Sequence, residues 1–265
     1  MMVTLIVVAP ASPLWSSNNK YIGVIAVSGR FLYHFCMQIL YEDNHIIAVS
    51  KTCREIVQAD KTGDTPLLDM VKAYIKQKYN KPGEVFLGLP HRLDRPTSGV
   101  VLFARTSKAL VRLNAMFQTH ESIHKTYWAI VANPPREPEG YLEHWLLRKE
   151  KENKSYVVRE GTKDAKLAKL RYRTLTRSDR YTLLEITLLT GRHHQIRCQL
   201  AAIGSPIRGD LKYGAPRSNP DGGISLHARE IAFVHPVSKQ PISITAPVPD
   251  DNLWRALTLN LNVNE

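Results

Sequence analysis

The sequence predicts an α+β fold built on one large mixed or antiparallel sheet. Three observations lead there: many short β-type runs, only a few helical segments between them, and no internal repeat. The strands outnumber the helices too heavily for the regular strand and helix alternation of a doubly wound parallel sheet.

From Gln38 onward the elements follow in order. Ile46-Ile47-Ala48-Val49 reads as a strand. Thr65-Pro66 reads as an N-cap followed by proline in the first helical turn, and Leu67, Leu68, Val71, Tyr74 and Ile75 then share one face until Pro82-Gly83 ends the helix. Val85 to Leu89 and Val100 to Ala104 are strand-like, so the polar segment from Pro90 to Gly99 is a loop between two strands. Thr106 or Ser107 caps a second helix carrying Leu110, Leu113, Met116 and Phe117, and Tyr127 to Val131 returns to β character. Asn133 to Gly140 is a proline-rich turn. Tyr156 to Val158, Lys169 to Leu175 and Tyr181 to Leu189 are further strands; His194 to Ile203 is a helix stopped by Gly204; Ile224 to Val234 and Ile242 to Ala246 close the series. The charged segment from Arg148 to Lys169 fits a solvated hairpin or linker, with an RNA clamp as the competing use.

This organisation gives three parts: residues 1–37 as an N-terminal extension that fits the rest poorly, with Met37 an alternative start; one catalytic domain over 38–250; and a tail over 251–265. Tyr21 to Met37 is apolar but is interrupted by Arg30 and His34, and Met1 to Ala11 lacks a basic leader, so neither a membrane span nor a signal peptide is expected. Cys36, Cys53 and Cys198 are odd in number and lack a CxxC pair, which argues against a disulfide framework or zinc ribbon and for a cytoplasmic protein. Lys and Arg number 36 against 24 Asp and Glu, a formal charge of +12, which suits an acidic partner such as RNA. Charge alone leaves an unliganded basic surface equally open. A monomer without an obligatory protein partner is the default expectation.

Two polar constellations could carry chemistry. In Pro90-His91-Arg92-Leu93-Asp94-Arg95-Pro96-Thr97-Ser98-Gly99 one acid sits between two guanidinium groups, which favour its ionised form, and a loop between strands can present it to a ligand. Asp94 is then either a nucleophile, a base or a stabiliser of positive charge on a sugar, or one member of a structural ion pair. In Thr190-Gly191-Arg192-His193-His194-Gln195-Ile196-Arg197 a strand gives way to a helix, so backbone donors and two arginines form an anion-binding corner or a capped surface turn. His120-Glu121-Ser122-Ile123-His124 has the H-E-x-x-H spacing of a zinc helix, yet it lies where the helix ending near Phe117 gives way to the strand beginning near Lys125. A connection is expected there, and no metal site.

Four blocks, in order, resemble the RluA-like pseudouridine synthases, in the form without an N-terminal S4 RNA-binding domain. They are His91-Arg92-Leu93-Asp94 with Thr97-Ser98-Gly99; Lys125-Thr126-Tyr127-Trp128-Ala129-Ile130-Val131; Gly191-Arg192 with His194-Gln195-Ile196-Arg197; and Gly209-Asp210 with Lys212-Tyr213-Gly214. The resemblance spans roughly Gln38 to Pro249. It implies the pseudouridine synthase fold and isomerisation of uridine to pseudouridine in structured RNA, rRNA or tRNA, without metal or cofactor. It implies Asp94 as the essential carboxylate, Tyr127 as the residue that stacks on the target base and helps take the proton from the new carbon linkage, and Arg197 as the partner of Asp94. Arg92 is implied to fill the space left by the flipped base. His91, Arg95, Thr97, Arg192, His194 and Gln195 are expected to contact RNA. Cys198-Gln199 departs from the branched apolar residue and histidine common in relatives, which bears on subfamily and substrate; Cys198 itself reads as a small packing residue.

Overall fold

The computed structural model describes residues 20–22, 37–119, 122–259 and 261. The apolar runs at Ile46 and Val100 become β3 (Ile46–Lys51) and β4 (Ser98–Ala104), paired antiparallel from Ile46 opposite Ala104 to Lys51 opposite Gly99. Successive side chains of a strand face opposite ways, and here both faces are covered. Ile47, Val49, Val101 and Phe103 pack with α1 (Leu67–Lys78), while Ile46, Ala48, Val100 and Leu102 pack with α2 (Ser107–Thr119). These strands therefore read as continuously apolar instead of alternating.

The other strands are β1 (Lys20–Ile22), β2 (Met37–Glu42), β5 (Ile123–Val131), β6 (Glu139–Lys149), β7 (Lys154–Val158), β8 (Lys166–Arg177), β9 (Thr182–Leu188), β10 (Leu226–Val234) and β11 (Pro241–Thr245). All join one sheet in the order β1-β2-β3-β4-β10-β5-β9-β8-β6-β7, with β11 beside the far half of β10. The β4 and β10 pair is parallel and the other pairs among the described strands are antiparallel, so the sheet is mixed. On β5 the alternation is visible: Ala129 and Val131 pack with Ile196 and Leu200 of α3 (Gln195–Ala202), whereas Trp128 and Ile130 pack with Trp254 and Leu257 of α4 (Asn252–Thr258). Tyr127 touches both the core under α1 and the core under α3. It marks the seam between the two cores on that face.

Several expectations are corrected. Thr65 does not cap α1: Pro66 occupies the cap position without a side-chain bond, and the Leu67 and Leu68 N–H groups donate instead to Ile56 O and Val57 O at 2.8 and 3.1 Å. Thr106 does cap α2, its hydroxyl accepting from Ala109 N. Val85 to Leu89 is not a strand; it meets β4 only through a Gly88 and Ala104 bridge, because the Leu102 N–H is taken by the His91 ring. β6 is a further strand that the apolar pattern does not mark: only Leu142 and Leu146 are buried along it, on one face and two side chains apart, so no dense apolar run forms. The stretch from 251 is no tail: Asp251 caps α4, which buries Trp254. Lys20–Ile22, expected in the extension, pairs with β2, and the rest of the extension before Met37 lies outside the described residues. Gly204, at φ +80°, ends α3 as expected, its N–H reaching Ala201 O.

Candidate active site

The loop before β4 is held from beneath. Lys51, the last residue of β3, is 1% exposed, and its Nζ donates to Asp94 O at 3.2 Å, Arg95 O at 2.9 Å, Thr97 O at 2.7 Å and Thr52 O at 2.9 Å. Burial pulls this ammonium down to about 8, opposed by the nearby Glu55 and Asp94 charges. The Thr97 N–H closes the turn onto Asp94 O at 3.0 Å. Gly99 follows at φ +119°, where a Cβ would sit 2.2 Å from Ala228 O, so only glycine lets β4 lie this close to β10. The loop thus presents a carboxylate whose side chain remains 34% exposed.

Arg197 of α3 forms the opposite wall. Its side chain is 6% exposed, and Nε and Nη2 donate to Asp210 Oδ2 and Oδ1 at 2.7 and 2.8 Å in a bidentate fork. The remaining Nη1 donates to Asp94 Oδ2 at a longer 3.4 Å. Asp210, itself buried, takes the short bonds, so the guanidinium orients Asp94 without sequestering it. His194, in the left-handed region at φ 51°, completes the wall. Its Nε2 lies 3.0 Å from Arg197 Nη1 and its Nδ1 3.0 Å from Tyr213 Oη. A guanidinium only donates, so Nε2 accepts and the ring proton sits on Nδ1, donated to Tyr213. Burial, then the Arg197 charge, holds His194 neutral with a pKa down to about 2. Its 3.4 Å approach to Asp94 Oδ2 is therefore a contact between a neutral ring and a carboxylate.

Tyr127 on β5 faces this pair. Burial, then the Asp94 charge, pushes its phenol well above the usual range, so it holds its proton. Arg92 is exposed beside Asp94, and no described side chain engages it in an ion pair.

Of the ten residues expected at the site, Asp94, Tyr127, Arg197 and His194 converge, and Arg92 borders them. The others stand elsewhere. His91, expected to contact RNA, is engaged within the fold: Nε2 accepts from Leu102 N at 2.9 Å, the ring stacks on Phe117, and burial lowers its pKa to about 3. Gln195 is likewise buried, bridging Thr190 Oγ1, Arg192 N and Lys169 O to fix the entry of α3. Thr97 is 2% exposed and turned inward. Arg95 pairs with Asp64 at the surface, and Arg192 is half-buried with Nε on Leu167 O. Sequence reasoning assigned no role to Lys51, Asp210 or Tyr213. The last two lie in the fourth block, where a buried arginine's need for a counter-charge was the available signal; Lys51 offered only a lysine ending an apolar strand.

His124 lies on β5, while His120 and Glu121 fall outside the described residues. No group of three or more potential metal ligands occurs among the described residues. No described helix is long and apolar enough to cross a membrane.

The family model for RNA pseudouridylate synthase matches residues 45–202. Ribosomal large subunit pseudouridine synthase D of Xanthomonas campestris pv. campestris is 32% identical over 228 residues, 81% of this chain and 67% of its own length. An uncharacterized RNA pseudouridine synthase of Mycobacterium bovis is 34% identical over 221 residues, 81% of this chain and 70% of its own. Among solved structures, human RNA Pseudouridylate Synthase Domain Containing 4 shares the fold, with a TM-score of 0.68 at 22% identity, covering 80% of this chain and 88% of that one. An α+β sheet with these blocks in this order, matched over most of its length by such relatives, makes the chain a member of the RluA-like RNA pseudouridine synthase family, enzymes that isomerise uridine in RNA.

Proposed function

We propose that Asp94 is the nucleophile of this enzyme and that its substrate is large-subunit ribosomal RNA, acted on without metal or cofactor. The observation that carries the reading is the 3.4 Å contact from Arg197 Nη1 to a half-buried, solvent-reachable Asp94 carboxylate, with the fork of Arg197 already committed to Asp210. Such an anion is oriented yet free to react. The carboxylate oxygen bonds to the sugar carbon as the bond to the base nitrogen breaks, and the base leaves as an anion. After the base turns, its ring carbon takes the sugar and the carboxylate is released. The proton on that carbon must then be lost.

Tyr127 fits the last step as a relay. Asp94 is an anion again once it is released, so the phenol, held protonated by burial and by that charge, gives its own proton to the ring nitrogen that left the sugar as its oxygen takes the proton from the carbon. Before that step the ring serves as an aromatic platform for the base. Arg92, exposed beside the loop, supplies a planar cation to fill the gap left by an extruded base.

The choice of ribosomal RNA is supported by the names of relatives such as the synthase D of Xanthomonas campestris and the synthase C of Vibrio vulnificus, the latter 31% identical over 216 residues. Pseudouridine mapping of total RNA from a deletion strain tests both parts. The wild-type gene restores a missing large-subunit site and Asp94→Asn does not. Restoration by Asp94→Asn sinks the mechanism, and a missing site in tRNA alone sinks the substrate.

A further inference from the structure

We infer that the β6–β7 hairpin is a phosphate-binding cradle fixed in position relative to Asp94, in which Arg148, Lys151, Lys154 and Lys212 receive the RNA backbone beside the target nucleotide. The inference rests on the reading of Asp94 as acting on RNA.

The hairpin is docked where a merely solvated turn would stand free. Ser155 on β7 is 2% exposed; its N–H donates to Tyr213 Oη at 2.8 Å and its hydroxyl donates to His193 O at 2.7 Å. His193 Nε2 lies 3.1 Å from Asn153 Oδ1 at the tip, and the His193 and His194 rings stack at 3.8 Å. Lys212 Nζ donates to Glu152 O and Asn153 O at 3.3 and 3.1 Å. Tyr213 is the hydroxyl that receives the His194 ring proton. An unbroken path of contacts thus runs from the hairpin tip to the wall that holds Asp94.

The same hairpin carries the charge. Arg148 and Lys212 lie near enough to oppose protonation of both His193 and His194, which places cations beside the wall that faces Asp94. Lys154 Nζ is held 5.1 Å from the centres of both the Tyr156 and Tyr213 rings, a cation fixed by aromatic faces. The acids of the tip are exposed but partnered: Glu152 takes the Tyr156 hydroxyl and Lys149. The Arg148 and Glu150 pair is long, at 3.8 Å, and exposed, so a phosphate displaces it at little cost. β7 is the last strand of the sheet order, and its lysines also suit an edge that must not pair with another strand. That protective role alone needs neither the docking nor the approach to Asp94.

Counterion release gives a readout that does not require the target site to be known. The full chain is titrated with a labelled, unmodified large-subunit rRNA transcript across a salt series. Arg148→Gln/Lys151→Gln is expected to bind roughly ten-fold more weakly at low salt and to flatten the dependence of log Kd on log salt by about 1.4, near 0.7 for each lost phosphate contact on a single strand. Lys239→Gln, in the turn before β11, should leave the slope unchanged. Both double-variant positions are exposed, so the fold is retained, which circular dichroism checks. An unchanged slope, or an equal change from Lys239→Gln, overturns the cradle. Ser155→Ala tests its fixed position: it should slow single-turnover modification, and an unaltered rate overturns that part. Continued activity of Asp94→Asn would instead break the catalytic reading and leave the salt slope as it stands.

Discussion

The loop bearing Asp94 and the wall bearing Arg197 meet across 3.4 Å, yet they are fixed by different means. The loop is held through its main chain, three of its carbonyls converging on one lysine ammonium. The wall is held through side chains, Arg197 to Asp210 and His194 to Tyr213. A loop held by its carbonyls can leave Asp94 and Arg92 open to a ligand, whereas a wall held by side chains fixes each partner's chemistry. Substitutions in the wall should therefore cost more than loss of the loop's support.

The sharpest way to break that comparison is Asp210→Asn. The substitution keeps the shape but leaves Arg197 as a buried charge without its counter-ion, a loss of about 3–5 kcal/mol by the usual cost of breaking a buried pair. The freed guanidinium is also expected to draw closer to Asp94 and slow its attack. Urea unfolding should report the stability loss, and single-turnover assays at saturating RNA should report a slower step. Equal stability and rate to wild type would show that the fork is not what holds this wall.

Lys51→Met attacks the other side. Three loop carbonyls lose their shared donor, and about 1–3 kcal/mol is expected to be lost, with activity reduced more than the fold. The lysine also makes a pH signature. Its folded-state pKa, about 8, lies below the ordinary 10.5, so between those values the unfolded chain binds more protons and this group makes stability rise with pH. The stability gap between wild type and Lys51→Met should widen in favour of wild type from pH 8 upward. Turnover should fall over the same range, because a neutral amine has two protons for its carbonyl acceptors where the ammonium has three. A gap that narrows with pH would refute the assignment.

The same contrast explains what the sequence made legible. β3, β4 and β5 and the first three helices were readable because burial on one or both faces leaves apolar runs or a helical stripe. β6 was not, since its side chains are mostly exposed and its pairing is carried by the backbone. Asp94, Tyr127 and Arg197 lay in blocks that a family resemblance picks out. The support beneath them did not: Lys51 is separated from Asp94 by 43 positions and acts on carbonyl oxygens, which no residue pattern records. His91 shows the reverse, a polar residue inside a catalytic block whose ring stands in for a missing strand partner at Leu102.

The smallest effect at neutral pH is shared by both sides. His91 and His227 near the loop and His194 in the wall are held neutral by burial, with pKa values pulled to about 3, 4 and 2 from an ordinary 6.5. In the unfolded chain each takes up a proton as pH falls through 6.5, while in the folded protein each resists until its lowered value is reached. Stability from these groups is thus intact above pH 6.5 and declines below it, with a limiting slope of roughly 1.4 kcal/mol per pH unit for each. His227 is the clean probe, because it contacts Ser98 Oγ at 2.9 Å and its shift comes from burial with no contribution from the Asp94 charge. In urea titrations between pH 7 and pH 5, His227→Gln should lose stability less steeply than wild type as acid is added. Parallel curves would mean that the ring takes up protons alike in the folded and unfolded protein, and that burial does not hold His227 neutral beside Ser98 at the start of β4.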